Sequence, residues 1–302
     1  MDIRVVFMGS PEFALPSLKR LAEKVQLVGV VTQPDRPAGR GRVMTPPPIK
    51  TLAEQLEIPV IQPERLRDPA AFDLLKAWQP DLIAVTAFGQ ILRQNVLDLP
   101  RFGCINVHAS LLPRWRGAAP IQASILNGDT QTGVTIMKLD VGMDTGPILA
   151  QRVEEIQPED TAGSLAQRLA QIGADLLVET LPGYLEGKII PIPQEDRLAT
   201  MAPMIRKEEG LLDFEQPAEF LTRKIRAFQP WPGTFFHWMD GMLKVKQAHT
   251  VGAAGKEAGQ KLVIDGFPAV ACSSGCLVLD IVQPPGKKTM AGDIFLRGAR
   301  QW

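Results

Sequence analysis

The sequence predicts a doubly wound α/β protein with a smaller β domain at its carboxyl end. In the first part of the 302-residue chain, short apolar runs alternate with amphipathic segments. This alternation is typical of a mostly parallel, Rossmann-like sheet covered by helices. Later, short strand-like runs follow one another with Gly-rich turns between them, as in a small OB-like barrel. The hydrophobic fraction of 45% and the charged fraction of 22% are those of a folded globular chain.

The first predicted domain covers residues 1–188 and contains five strand candidates with helix candidates between them. The strand candidates are IRVVFMG, QLVGVVTQ, DLIAVTAFG, GCINVH and GVTIMKLD. The helix candidates include PEFALPSLKRLAEK, IKTLAEQLE, DPAAFDLLKAWQ, AAPIQASILNGD and TAGSLAQRLAQIGADLLVETLPGYLEG. The stretch QPDRPAGRGRVMTPPPIK, residues 33–50, is rich in Pro and Gly and is predicted to be a long exposed loop.

A linker is predicted over residues 189–208, where prolines recur and apolar periodicity is lost. The second predicted domain covers residues 209–302. It begins with one helix candidate, QPAEFLTRKIRAF, and continues with five short strands. These strands are GTFFHW, MLKVKQAHTV, KLVID, PAVACS and CLVLDIV.

Composition excludes several classes of protein. No apolar run approaches the roughly 20 residues that span a bilayer, and the amino terminus does not resemble a signal peptide. The three cysteines make neither a disulfide framework nor a four-ligand zinc set, and the three histidines are far apart in sequence. We therefore expect a cytosolic monomer that needs no metal. The first turn, MGSPEF, lacks the three glycines of a dinucleotide fingerprint, which disfavours a nicotinamide enzyme.

Three polar residues form a candidate catalytic site. Asn106 and His108 are two residues apart at the end of a strand candidate, so they share one face. Ligands of doubly wound sheets lie at the carboxyl ends of the strands. Asp144 lies on the Gly-flanked stretch VGMDTG, and it approaches His108 if the preceding strand lies beside GCINVH. Asn, His and Asp together supply an oxyanion donor, a proton carrier and an orienting carboxylate. Taken singly, each also fits an ordinary strand end or turn.

The stretches NVHASLLPRWRGAAPIQ and GVTIMKLDVGMDTG resemble the core of the formyltransferases that use 10-formyltetrahydrofolate. Three further stretches resemble the members that act on methionyl-tRNA: VFMGSPEFALPSL, QPDRPAGRGRVMTPPPIK and IRAFQPWPGTFF. Together these stretches extend over both predicted domains. Ala109 stands where several members of the family have Gly after the His.

The resemblance implies a catalytic trio of Asn106, His108 and Asp144. It also implies a folate site in which main-chain groups match the polar edge of the pterin ring. Residues 88–92 taken alone also fit a simple strand-to-helix turn. The folate-binding residues implied are Phe88, Gly89, Gln90, Ile91, Leu92, Ser110, Leu111, Leu112, Pro113, Val141, Gly142 and Met143.

The stretch of residues 36–50 carries four positive charges and no negative charge. Basic contacts of this kind hold the ends of single-stranded RNA, although a solvated surface loop also carries such charges. The resemblance implies that this loop reaches toward the acceptor end of the tRNA. The predicted tRNA-binding residues are Arg36, Arg40, Arg42 and Lys50, with Lys244 and Lys246 on one strand face of the second domain.

These observations predict an enzyme that transfers a formyl group from 10-formyltetrahydrofolate to the methionine amine of initiator methionyl-tRNA. Two alternatives stay open. One is a formyltransferase acting on a sugar nucleotide or another small amine, which would need no basic loop. The other is a folate- or RNA-binding protein without catalysis, which an intact Asn-His-Asp trio disfavours.

Overall fold

The computed structural model describes residues 1–39, 41–239, 241–252, 255–299 and 302. The chain divides into two compact units. The first consists of Met1–Gly117, Thr132–Glu155 and Ala166–Met201. The second consists of Ala118–Gln131, Ile156–Leu165 and Ala202–Trp302. Two segments that precede the predicted linker therefore belong to the second unit.

The first unit is built on a seven-stranded sheet with the order β10-β9-β7-β6-β1-β2-β5. Its main strands have apolar side chains on both faces, which is typical of a sheet covered on both sides. The strands up to the linker are β1 Arg4–Gly9, β2 Gln26–Val31, β3 Arg36–Ala38, β4 Val43–Thr45, β5 Val60–Ile61, β6 Leu82–Thr86, β7 Cys104–His108, β8 Arg116–Gly117, β9 Gln131–Lys138, β10 Ile148–Glu155 and β11 Met201–Ala202.

Most helices lie where amphipathic segments were predicted, whereas the helices over Gln94–Leu97 and Gly292–Gly298 were not predicted. A proline occupies one of the first positions of several of them, where its missing N–H costs no hydrogen bond. The helices are α1 Leu15–Ala22, α2 Pro48–Gln55, α3 Pro69–Ala77, α4 Gln94–Leu97, α5 Pro120–Leu126, α6 Ala162–Leu185, α7 Ala218–Ala227 and α8 Gly292–Gly298. No described helix has the combination of length and apolar character that crossing a membrane requires.

The central strands β1, β2, β5, β6 and β7 run parallel. Residues such as Val6, Met8 and Ile83 are fully buried and contribute to one of the hydrophobic clusters of this unit. The prediction of a mostly parallel, Rossmann-like sheet is confirmed. The strand β9 differs, because it pairs antiparallel to β7, with Ile105 opposite Lys138 and His108 opposite Thr135.

The predicted long loop of residues 33–50 contains a short antiparallel hairpin, in which β3 pairs with β4. Proline and glycine content predicted irregular chain here. However, Arg36 pairs with Thr45 and Ala38 with Val43, so part of the basic segment forms strands. The side chains of β4 are exposed.

The second unit contains an antiparallel sheet in the order β12-β13-β16-β15-β14, with β17 paired to β16. The prediction of a carboxyl-terminal β domain is confirmed at the level of an antiparallel sheet. A core that includes Leu221, Ile225, Leu243 and Leu277 lies between the sheet and α7. Its strands are β12 Thr234–Trp238, β13 Gly241–Val251, β14 Lys261–Ile264, β15 Phe267–Ala271, β16 Cys276–Gln283 and β17 Met290–Ala291.

Candidate active site

The strand β7 presents Asn106 and His108 near its carboxyl end, between β6 and β9. The side chains of Cys104, Asn106 and His108 alternate with those of Ile105 and Val107, as the period of a strand requires. Asn106 is partly exposed, whereas His108 is only 5% exposed. Burial raises the pKa of the Cys104 thiol to about 12, so this thiol is a neutral, buried group and not a nucleophile.

The two ring nitrogens of His108 have different partners. Nε2 lies 3.0 Å from the main-chain oxygen of Trp115. A carbonyl oxygen only accepts hydrogen bonds, so Nε2 carries a hydrogen in this arrangement. Nδ1 lies 3.6 Å from Oδ2 of Asp144, which is an ion-pair distance but too long for a hydrogen bond. Nδ1 is therefore the nitrogen that can gain or lose a proton, and it faces the carboxylate.

Asp144 is held in an unusual backbone conformation. Its φ is +54°, a region that residues with a β-carbon rarely adopt. The main-chain N–H of Gly117 donates a hydrogen bond of 2.9 Å to Oδ2 of Asp144. A β-carbon at Gly146 would collide with the main-chain oxygen of Lys138, so the chain closes tightly after the Asp. The loop thus fixes the direction of the carboxylate.

The sequence predicted that Asp144 approaches His108 if the strand before it lies beside GCINVH, and β9 does pair with β7. Because β9 runs antiparallel to β7, the carboxyl end of β9 lies beside the amino end of β7. The segment after β9, and not the strand end itself, carries Asp144 to the ring of His108. Lys138 and Pro147 are joined by a main-chain hydrogen bond of 2.9 Å that closes this segment.

Two polar residues that the sequence did not single out support the segment after β7. The hydroxyl of Thr135 accepts from the N–H of Leu112 and donates to the main-chain oxygen of Ser110. The amide of Gln151 donates to the same hydroxyl and to the main-chain oxygen of Leu112. A polar Thr inside the apolar run of β9 was a signal for such a role, since buried hydroxyls need partners.

A third such residue is Gln194, in the proline-containing stretch after α6. Its Nε2 donates to the main-chain oxygens of Asp144, at 2.8 Å, and Gly146, at 2.7 Å. Its Oε1 accepts from Nε of Arg116 at 3.0 Å. No periodicity marks residue 194, so the sequence offered no signal for it.

The predicted folate residues fall into three segments of the first unit. Phe88 and Leu92 are buried, whereas Gly89 and Ile91 are exposed. The side chain of Gln90 is occupied at Leu66 and Pro63, to which it makes two hydrogen bonds. In the loop after β9, the residues Val141, Gly142 and Met143 are all exposed.

The third segment, residues 110–113, is more enclosed. Ser110 is fully buried and its hydroxyl donates to the main-chain oxygen of Arg114 at 2.6 Å. Leu112 is buried, and Leu111 and Pro113 are partly exposed. Main-chain groups and apolar surface are therefore what this segment can offer a ligand, because the Ser hydroxyl already has a partner.

The predicted tRNA residues of the first unit lie in and beside the β3–β4 hairpin. Arg36 and Arg42 are exposed, and Arg42 occupies the turn with a φ of +48°. Arg40 lies outside the described residues. Lys50 is partly buried and its Nζ lies 2.9 Å from Oδ2 of Asp35. Lys50 is thus engaged in an ion pair at the base of the hairpin.

In the second unit, β13 carries Lys244 and Lys246, which alternate along the strand with the buried residues Leu243 and Val245. Lys244 is exposed and Lys246 is partly exposed. In the part of the chain that the structure describes, no group of three His, Cys, Asp or Glu residues could hold a metal ion.

Comparison with known protein families gives two matches, one after the other along the chain. The profile of a family described as "Formyl transferase" matches residues 3–181. A second profile, "Formyl transferase, C-terminal domain", matches residues 204–300.

Full-length relatives are similar over nearly the whole chain. A methionyl-tRNA formyltransferase of Halorhodospira halophila is 49% identical and covers 99% of this chain and 97% of its own. One from Myxococcus xanthus is 48% identical, with 98% and 95% covered. Among solved structures, HypX from Aquifex aeolicus in complex with tetrahydrofolic acid aligns with a TM-score of 0.63 at 17% identity. That alignment covers 98% of this chain but 47% of the longer HypX, and it indicates a shared fold only.

Proposed function

The chain belongs to the formyltransferase family, and we propose that it transfers a formyl group from 10-formyltetrahydrofolate to the amine of methionine on initiator methionyl-tRNA. The two methionyl-tRNA formyltransferases described above are 48% and 49% identical to this chain over nearly their full length. The observation that carries the proposal is the buried His108 with Asp144 at 3.6 Å, on the strand that also presents Asn106. This reaction supplies the formylated initiator for translation.

The residues around this site fit a folate. A pterin ring needs a flat apolar contact and main-chain donors and acceptors along one edge. Gly89 and Gly142 expose main chain, and Ile91, Val141 and Met143 expose apolar side chains. Because of this exposed main chain and apolar surface, we assign folate binding to residues 88–92, 110–113 and 141–143. The HypX structure in complex with tetrahydrofolic acid is consistent with this ligand class.

The chemistry follows from the partners of each side chain. The methionine amine attacks the formyl carbon of the donor, a tetrahedral oxyanion forms, and the folate nitrogen then departs with a proton. Asn106 donates a hydrogen bond to the oxyanion that develops on the formyl carbon, and protonated His108 adds positive charge beside it. Asp144 stabilises the charged imidazole and holds its orientation. His108 relays the proton that leaves the amine and the proton that the folate nitrogen needs.

We assign tRNA contacts to the hairpin and to β13. The exposed side chains of Arg36 and Arg42 present positive charge, and no acidic residue lies between them in the sequence. Arg40 belongs to the same predicted set. Lys50 joins the set only if it leaves its ion pair with Asp35. Lys244 and Lys246 are the corresponding cations of the second unit.

We further propose that the enzyme is a monomer of the cytosol. All three cysteines are free and buried, which fits a reducing compartment. Light scattering of the purified protein measures its oligomeric state. A dimer or larger oligomer would refute the proposed monomer but would not bear on the proposed reaction.

The test of function uses the purified chain, charged initiator methionyl-tRNA and 10-formyltetrahydrofolate. We expect formyl-methionine on the tRNA and an equal amount of deformylated folate, and we expect neither with the His108→Ala variant. Free methionine and an amino-sugar nucleotide serve as competing acceptors. Formylation of the small amine with none on the tRNA would overturn the proposal.

A further inference from the structure

The side-chain amide of Gln194 joins three segments that are distant in sequence. Its two Nε2 hydrogens are used by the main-chain oxygens of Asp144 and Gly146, and its Oε1 accepts from Arg116. The two carbonyls only accept and the guanidinium only donates. The amide therefore satisfies all three partners in one orientation alone. No substrate group is needed to explain its contacts.

The backbone of Asp144 needs such support. A residue with a β-carbon at a φ of +54° is stable only where its surroundings hold it there. Gln194 binds the carbonyl of that residue and the carbonyl two residues later, on either side of Thr145. These two bonds fix the peptide planes of the loop. The direction of the Asp144 side chain follows from those planes.

The same network also reaches the carboxylate. Arg116 is 6% exposed, and its Nη2 pairs with the exposed Asp196 at 2.8 Å. The next residue, Gly117, donates its N–H to Oδ2 of Asp144. The dipeptide Arg116–Gly117 thus holds Asp144 twice: directly at the carboxylate, and through Gln194 at the main chain.

We propose that Gln194 is a positioning residue that aims the carboxylate of Asp144 at Nδ1 of His108. The proposal rests on the catalytic role proposed above for Asp144. Gln194 itself touches no reacting atom. Its contribution is to hold an unfavourable backbone conformation, so that the carboxylate stays beside the ring.

The first measurement needs no activity. The chain has three histidines, so ring signals in a ¹H–¹³C spectrum of histidine-labelled protein are few, and the His108→Ala variant assigns one of them. We expect Gln194→Leu to move the His108 signal in the same direction as Asp144→Ala does. The signals of His237 and His249 should stay in place. An unmoved His108 signal in Gln194→Leu, with a moved one in Asp144→Ala, would overturn the proposal.

The second measurement separates positioning from general stability. In single-turnover assays, Gln194→Leu should lower the rate by about 10–100-fold, the usual effect of losing a residue that orients a site group. In an Asp144→Ala background, the same change should have little further effect, because no carboxylate is left to aim. An equal loss in both backgrounds would assign Gln194 a role unrelated to Asp144.

Two further variants complete the design. Gln194→Glu keeps the size and the acceptor for Arg116, but its carboxylate cannot donate to the two carbonyls, so we expect it to behave as Gln194→Leu. Parent-like rates in Gln194→Glu would refute the proposal that the hydrogen bonds donated by Gln194 position Asp144. This variant tests the same proposal if Gln194→Leu does not fold. Gln171→Leu, at an exposed glutamine of α6, is the matched control. If the parent does not formylate tRNA, the proposed function fails while the ring signals still decide the role of Gln194.

Discussion

Asp144 places its carboxylate 3.6 Å from Nδ1 of His108, while the opposite ring nitrogen donates to the main-chain oxygen of Trp115. The imidazole is thus held at both nitrogens, once by a group that fixes its tautomer and once by a group that stabilises its charge.

Removing His108, Asn106 or Asp144 by substitution with Ala should reduce turnover far more than it weakens folate binding. The loss of one oxyanion donor costs about 2.7–4 kcal/mol in other acyl-transfer enzymes. Rapid-quench rates and folate affinity, measured on the same preparations, check this. A His108→Ala enzyme with parent rates would remove the catalytic assignment.

The His108→Ala, Asp144→Ala double variant should lose less than the sum of the single losses. The two residues act as a unit, so removing the second matters less once the first is gone. A complete double-mutant cycle of single-turnover rates measures the coupling. Fully additive losses would mean that the 3.6 Å contact has no catalytic consequence.

Arg42→Leu should weaken formylation of methionyl-tRNA and leave folate binding unchanged. Arg42 is exposed at the hairpin turn, and its loss should cost about 1–3 kcal/mol, the value of one good nucleic-acid contact. The loss should shrink at high salt, where phosphate contacts weaken for parent and variant alike. Arg67→Leu, an exposed arginine outside the hairpin, is the matched control. Equal rates for the Arg42 variant and the parent at every salt concentration would make the hairpin an ordinary surface feature.

The ion pair of Asp35 with Lys50 should stabilise the base of the hairpin in a pH-dependent way. Hydrogen bonds from Gln62 and Lys50 lower the pKa of Asp35 below its ordinary value of 3.8. A lowered pKa in the folded state favours the charged form. The stabilisation is therefore complete above pH 3.8 and is lost as the pH falls through the lower folded value.

Hydrogen exchange of residues 36–45 tests this. Asp35→Asn should exchange faster than the parent at pH 5–7, and the difference should diminish once the pH falls below 3.8. Lys50→Met should behave as Asp35→Asn does. Identical exchange in parent and variants at neutral pH would show that the ion pair does not hold the hairpin.

Activity should survive exhaustive chelation of divalent metal. The described residues offer no group of three ligands, and the proposed chemistry uses Asn106, His108 and Asp144 alone. The assay should use tRNA folded with a non-chelated polyamine, so that loss of magnesium does not unfold the acceptor. An enzyme that is inactivated by chelator and restored by one particular ion would contradict this expectation.

The three thiols should not react with a thiol reagent near neutral pH in the native chain, and all should react in denaturant. Burial raises the pKa of Cys104 to about 12 and that of Cys272 to about 11, and it also raises that of Cys276. The reactive thiolate is therefore scarce in the folded state. Rapid modification of Cys104 before unfolding would show that the sheet around β7 opens locally.

The sequence alone predicted the main strands of both sheets and most helices, because apolar periodicity is a local property of the chain. It also predicted Asn106, His108 and Asp144 as a candidate trio, and the structure places the Asp144 carboxylate 3.6 Å from the His108 ring. The hairpin of residues 36–45 was not predicted. Its strands are three residues each and the side chains of β4 are exposed, so the segment is too short to show an apolar alternation.

Only the tertiary structure decided that β9 runs antiparallel to β7 and that Asp144 reaches His108 through the following segment. Strand direction depends on how distant segments pack. The residue alternation within one strand is the same whether it pairs parallel or antiparallel with its neighbour. The hydrogen bonds of Gln194 to the loop of Asp144 were likewise decided by the tertiary structure alone. Its hydrogen bonds join residues far apart in sequence, and such bonds leave no periodic pattern in the chain that makes them.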